Sequence, residues 1–211
     1  ADLIRSLAER QSKMVEETLG YDKKKADGGS LSLAQKAGVR NLGLVEDGLK
    51  QETVELAERM DDGVPVFSLI LKKAAEKMDN ASTGLQRLET GEPTQQAEKS
   101  AAERLQQLID SLQPDKPKDG QQQDQQQQQG QGQQGSQDEG DGIPTIAQLK
   151  MLKRLQSEIN LRTEELDTRK QAGGKLSNEE ETELDCLKTE QGRLADLLRD
   201  LSKPKRSDGE D

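Results

Sequence analysis

Histidine, the commonest general acid and base, is absent from this 211-residue chain, which leaves carboxylates and one thiol as the groups to weigh first. Adjacent acids stand at Asp61 and Asp62 and from Glu179 to Glu181, and Cys186 is the single cysteine. Two carboxylates share general acid/base work only when a pocket drives their pKa values apart, and no wall-forming aromatic or apolar residues accompany these acids. Solvated helix-end charges, favourable near an N-terminus, account for them as well. A Cys186 nucleophile has no histidine base, and zinc and haem sites lack their commonest ligand. One cysteine forms no internal disulfide; it reads as a small residue beside a helix seam, or else as an intermolecular bridge or reactive thiol. Gly130, Gly132 and Gly135 spell G-x-G-x-x-G. That fingerprint binds a pyrophosphate only between a strand and a helix N-terminus, and here it has neither. The acidic stretch Asp138 to Gly142 lacks the ligand spacing of an EF-hand loop. No catalytic, cofactor or metal residue is assigned, and the chain is read as non-enzymatic.

The elements that would position any such group are helices. Apolar residues make up 29% of the chain and aromatics 1%, which leaves little for a thick core or for strands, while 34% of residues are charged. Ala, Leu, Glu, Lys, Gln and Arg dominate, as in exposed amphipathic helices. The net charge of −10 repels a phosphate backbone, and stacking aromatics are nearly absent, so no nucleic-acid partner is expected. Lys203, Lys205 and Arg206 form one basic tail, readable as a localisation or phosphate patch or as cations complementing a helix C-terminus. The longest apolar run, Val64 to Leu71, is far shorter than the roughly 18–20 residues of a membrane span. The sequence starts at Ala1, consistent with processing or with a fragment, and an upstream signal or anchor would lie outside it.

The helices are written in heptads. Leu7, Gln11, Met14, Thr18 and Tyr21 step by four and three residues, and Leu152, Gln156, Ile159, Thr163 and Leu166 step identically. A third copy, Leu42, Glu46, Leu49, Thr53 and Leu56, replaces glutamine by glutamate. This rhythm is the seam of one helix packed on another. Two readings of Gln11, Gln156 and Gln191 stay open. They pair with polar counterparts and fix register, or they rest at the edge of a shallow seam because glutamine favours helices. The threonines are harder to dismiss as filler, being β-branched with poorer propensity.

Along the chain, the pattern predicts a first helix from Asp2 to Gly20, ended by the Lys- and Gly-rich run to Gly29. A second runs from a Ser32/Gln35 capping box to Met60, with a break or bend allowed at Gly38, Gly43 or Gly48. The third carries Phe67, Leu71, Ala74, Met78, Ala81, Leu85 and Leu88. The fourth carries Ala97, Ala101, Leu105, Leu108 and Leu112 and pairs antiparallel with the third across Gly91 and Pro93. Residues 114–142 are Gln, Gly and Asp with nothing apolar to bury, so the expectation there is a disordered linker. Residues 143–202 read as an antiparallel hairpin that turns at Gly173 and Gly174. Its second arm is capped by Ser177 and Glu180 and carries Leu184, Leu187, Gln191, Leu194, Leu198 and Leu201. One seam buries too little to order two long arms, so this hairpin is expected to self-associate or to dock on the first block. Residues 203–211 read as a disordered tail. The expected architecture is all-α: a block of about four helices over 1–113, the linker, and the hairpin, in a coiled-coil-like bundle.

The repeated L-x3-Q-x2-φ-x3-T phrase, the Gln/Gly-rich tract, and the segments IPTIAQLKMLKRLQSEINLRTEELD and LSNEEETELDCLKTEQGRLADLLRDL resemble uncharacterised bacterial helical (coiled-coil) envelope proteins with a Gln/Gly-rich linker. That resemblance implies a coiled-coil body on the outer side of the cytoplasmic membrane, held by an upstream anchor. The expected function is protein–protein association, as a scaffold or structural spacer. Its interaction residues would be Leu7, Gln11, Met14, Thr18, Leu152, Gln156, Ile159, Thr163, Leu187, Gln191, Leu194 and Leu198. The alternative is an adaptor or chaperone-like protein, in the envelope or the cytoplasm, that holds client helices in the same grooves.

Overall fold

Serine at two chain positions decides where two of the helices begin. Ser32 and Ser177 each accept a backbone N–H three residues on, from Gln35 and Glu180, whose side chains accept the serine N–H in return. These reciprocal boxes satisfy donors that a helix start would otherwise leave unpaired. The computed structural model describes residues 1–113 and 143–203, which form six helices and no strand. They are α1 (Asp2–Gly28), α2 (Leu33–Met60), α3 (Pro65–Gln86), α4 (Glu92–Ser111), α5 (Thr145–Gly173) and α6 (Asn178–Leu201). The expectations for the linker 114–142, its glycine fingerprint and acidic stretch, and the tail after Lys203 lie outside the described residues. Among the described residues no helix is long and apolar enough to cross a membrane.

α1 to α4 make an up-down-up-down four-helix bundle in which each helix touches its two neighbours around the ring. The antiparallel sense is visible in the cross-links. Arg10 pairs with Glu52 at 2.5 Å, Lys50 with Asp79 at 3.0 Å, and Thr90 donates to Asp22 at 3.0 Å. The seam residues Leu7, Met14, Leu42, Leu49, Phe67, Leu71, Met78, Leu85, Leu105 and Leu108 fill the centre.

Four expectations need correction. α1 does not stop at Gly20. Tyr21 continues the heptad and lies over Gly38, where there is no Cβ to obstruct its hydroxyl, and α1 ends at Gly29 in the left-handed region (φ 71°). α2 neither breaks nor bends out of helix at its glycines, because Gly43 admits close approach of Leu85 and Gln86, and Ser82 donates to the Gly43 carbonyl at 2.9 Å. Leu88 does not extend the α3 seam. It takes φ 65° just past the helix end, where Glu89 N–H returns to the Gly84 carbonyl at 2.9 Å, a turn more often given to glycine. In α4 the buried face carries Thr94, Glu98, Ala101, Leu105 and Leu108, so Glu98 and not Ala97 occupies the seam.

α5 packs antiparallel on α6 and lies against α4 and α3. Ala147, Met151, Leu152, Leu155, Ile159 and Leu194 join the same apolar cluster as the bundle. Arg104 with Glu158, Arg154 with Asp110 at 3.9 Å, and Lys73 with Glu190 at 2.5 Å brace this contact.

The α1–α2 and α5–α6 hairpins share one plan at a constant spacing. The positions 145 residues after Leu7, Gln11, Thr18, Gly28, Gly29, Leu31, Ser32, Leu42, Leu49 and Leu56 are Leu152, Gln156, Thr163, Gly173, Gly174, Leu176, Ser177, Leu187, Leu194 and Leu201. Gly174 ends α5 at φ 78°, as Gly29 ends α1. The seam pairs match too: Gln11 meets Glu46 and Gln156 meets Gln191, each 35 residues apart.

Candidate functional site

Two places in this frame hold groups that call for explanation. The first is a polar layer in the bundle centre. Side chains lean toward the N-terminus of their helix, so Glu98 on α4 reaches toward the C-terminal half of antiparallel α1, where Thr18 waits. Thr18 donates to Glu98 Oε1 at 2.6 Å. Gln11 Nε2 donates to Glu46 Oε1 at 2.8 Å and approaches the Glu98 carbonyl at 3.4 Å. Gln11, Thr18, Glu46 and Glu98 are all fully buried. Thr53 turns its hydroxyl back to the Leu49 carbonyl at 2.8 Å and touches Met78 Sδ at 3.5 Å.

Burial drives both acids toward the neutral form. Glu46 is pushed up to about 7 by desolvation, against the pull of its hydrogen bond from Gln11. Glu98 is pushed up to about 8, again by desolvation, with the Glu46 charge adding and Thr18 and Lys99 opposing. Gln11 Oε1, Glu46 Oε2 and Glu98 Oε2 are buried without a partner. All three are acceptors when the acids are ionised, so protons carried by Glu46 and Glu98 are the donors that suit this layer. The layer is a store of buried, protonatable carboxyls shared between α1, α2 and α4. Among the described residues no three His, Cys, Asp or Glu side chains gather as metal ligands.

The second place is an open groove of about 670 Å³ along α5 and α6, walled by Ile159, Thr163, Leu166, Leu176, Leu184 and Leu187. Asn160, Glu164, Asp167, Lys170, Lys188 and Gln191 rim it. Gln156 and Gln191 exchange two amide hydrogen bonds at 2.8 and 2.9 Å beside it.

The structure therefore treats the two sets of seam residues differently. Leu7, Gln11, Met14 and Thr18 are buried in the bundle, as are Leu152, Ile159 and Leu194 where the hairpin docks. Gln156 and Leu187 are half-buried, while Thr163, Gln191 and Leu198 are exposed. No described helix covers that stretch. The seam glutamines differ by place: Gln11 is a buried partner of Glu46, and Gln156 with Gln191 forms a reciprocal pair at the edge of solvent. Glu98 escaped the sequence reading, although Thr94, Glu98, Ala101, Leu105 and Leu108 keep a strict four-three rhythm that points to it.

No protein-family model matches the chain, and neither the curated proteins nor the solved structures yield a match.

Proposed function

We propose that this protein acts by protein–protein association, as a non-enzymatic helical scaffold or spacer whose docking arm is the α5–α6 hairpin. The observation that carries the reading is the open apolar groove on that hairpin, set beside an α1–α2 hairpin of the same plan whose equivalent face is covered by helices. Apolar side chains on such a face are stabilised when another helix excludes water from them. The buried acids support a structural role, since their hydrogen bonds are made to other helices of the bundle. The resemblance of the seam-bearing segments supports a bacterial envelope setting for such a spacer.

A photo-crosslinking amino acid at Leu184 tests the proposal in cells. The expected result is a covalent protein adduct that is missing when the crosslinker stands at Leu44, an exposed residue on the outside of α2. Absence of any adduct from the groove position would remove the docking role.

A further inference from the structure

The two hairpins of shared plan are mounted on the bundle differently. α1–α2 turns its Gln11 and Thr18 face inward: Gln11 reaches the Glu98 carbonyl, Thr18 reaches the Glu98 carboxyl, and Gly43 abuts Leu85 and Gln86. So α3–α4 covers that face completely. The positions 145 residues later are Gln156, Thr163 and Lys188, and they border the groove or its edge. α5 buries Leu152 and Ile159 as α1 buries Leu7 and Met14, but it also buries Gln148, Met151 and Leu155, the equivalents of Leu3, Ser6 and Arg10, which α1 turns outward. The face that holds a hairpin in one copy is thus left open in the other over the stretch toward the Gly173–Gly174 turn, beyond Leu152, Ile159 and Leu194, which are buried.

The side chains on the open face are those of a face meant to be covered. Val39 and Leu42 are buried under α3–α4, and their equivalents Leu184 and Leu187 are apolar but only half-buried. Thr53, fully buried in the bundle, corresponds to Leu198, a larger apolar residue left 49% exposed.

Resting on the scaffold reading above, we infer that the occupant of this groove is the α5–α6 hairpin of a second copy of the same chain, packed about a two-fold axis as a four-helix bundle. Among the described residues α3–α4 is already committed to α1–α2, and α5–α6 is the hairpin whose matching face is free. In the first bundle α1 neighbours α4 and α2 neighbours α3. The same ring made by two hairpins sets each α5 beside the α6 of the other copy. The groove rim suits that arrangement: Glu164 and Asp167 stand on α5 and Lys188 on α6, so the two-fold axis brings acids of one copy toward a lysine of the other. Lys188 is held meanwhile by Asp185 of its own helix at 3.0 Å. The two Gln156–Gln191 pairs would form one glutamine layer across the dimer and fix its register, as buried polar layers do in coiled coils.

Sedimentation equilibrium of the full chain tests the inference, reading the mass against the 23.3 kDa monomer. The expected result is a dimer. Leu187→Glu should dissociate it, and because that change could also loosen the hairpin, charge reversal supplies an independent arm. Lys188→Glu should weaken the dimer at least ten-fold, and adding Glu164→Lys and Asp167→Lys should restore it. A monomer at all concentrations, or a dimer indifferent to the charge changes, overturns self-pairing. The groove-borne crosslinker separates the two failures. A monomer whose Leu184 position traps a different protein sinks self-pairing alone, whereas a monomer that traps nothing sinks the scaffold reading as well.

Discussion

The α1–α2 and α5–α6 hairpins are built on one plan, with the same Gly-Gly turn, serine capping box and seam spacing, yet one is the wall of a closed bundle and the other an arm with an open face. The difference shows that a heptad pattern specifies a sticky face without specifying whether the chain itself will cover it. It also shows what covering demands of the residues. Where α3–α4 closes the face, glycine at 43 lets a helix come near, while the equivalent Lys188 stands at an open rim.

Truncating equivalent leucines should break the comparison most visibly. Leu42→Ala removes a buried side chain from the bundle and should cost about 3 kcal/mol in denaturant unfolding. The half-buried Leu187 in the monomeric chain should cost about 1 kcal/mol. Equal losses would mean that the α5–α6 groove is closed in solution.

The polar layers give the next largest contrast. Glu46 and Glu98 titrate near 7 and 8 in the folded chain, above the ordinary 4.5. Their pKa values are raised, so folding takes up protons and stability falls as pH rises from about 4.5 through 8. Carboxyls on ion pairs, such as Glu52 beside Arg10, are held low by that partner's hydrogen bonds, and their contribution fades instead in stronger acid. Glu46→Gln imitates Gln191 of the second hairpin. It allows the two-way amide exchange seen between Gln156 and Gln191, and it pairs atoms that Glu46 leaves unpaired. This change should stabilise the chain by about 2 kcal/mol at pH 8 and flatten the pH profile. The reverse change at the exposed pair, Gln191→Glu, should move stability by less than about 0.5 kcal/mol at any pH.

Glycines sharpen the picture at a smaller scale. A Cβ at Gly43 would sit 3.1 Å from Gln86 Cγ and 3.2 Å from Leu85 Cβ, so Gly43→Ala should destabilise by about 1 kcal/mol. Gly48 has nothing within 4 Å of a Cβ, and Gly48→Ala should stabilise by about 0.5–1 kcal/mol through helix propensity. Thermal melts of the two variants should shift in opposite directions.

A modest effect also belongs to the brace between arm and bundle. Burial alone would raise Glu158, but its hydrogen bonds and charge contact with Arg104 outweigh this and hold it below the ordinary range. Because both partners are partly solvated, Arg104→Ala should cost less than about 1 kcal/mol, with a loss that shrinks as salt is added.

Much of this architecture was legible in order of appearance. Capping boxes at Ser32 and Ser177, the Pro and Gly punctuation, and the four-three rhythm carry their meaning within a few residues, so six helical segments and the hairpin turns could be read directly. Gly38 misled because a glycine's local cost of about 1 kcal/mol is overridden when a neighbouring helix packs over it, as Tyr21 does here, and α1 runs on through Gly20 to bring that tyrosine into place. Glu98 was hidden for the opposite reason. A glutamate in a helix ordinarily faces water, and the partner that receives this buried carboxyl, Thr18, stands on another helix 80 residues away.

Sequence alone determined that this chain is helical, which stripe of each helix is apolar, and that polar residues recur within those stripes, because these follow from short-range periodicity and capping. Tertiary structure alone decided which stripe is covered. Gln11 and Gln156 stand at equivalent positions in the same phrase, yet one lies fully buried against a glutamate while the other sits half-buried in a reciprocal amide pair. Burial depends on what a third and fourth helix bring to the face, and those helices are distant in the chain.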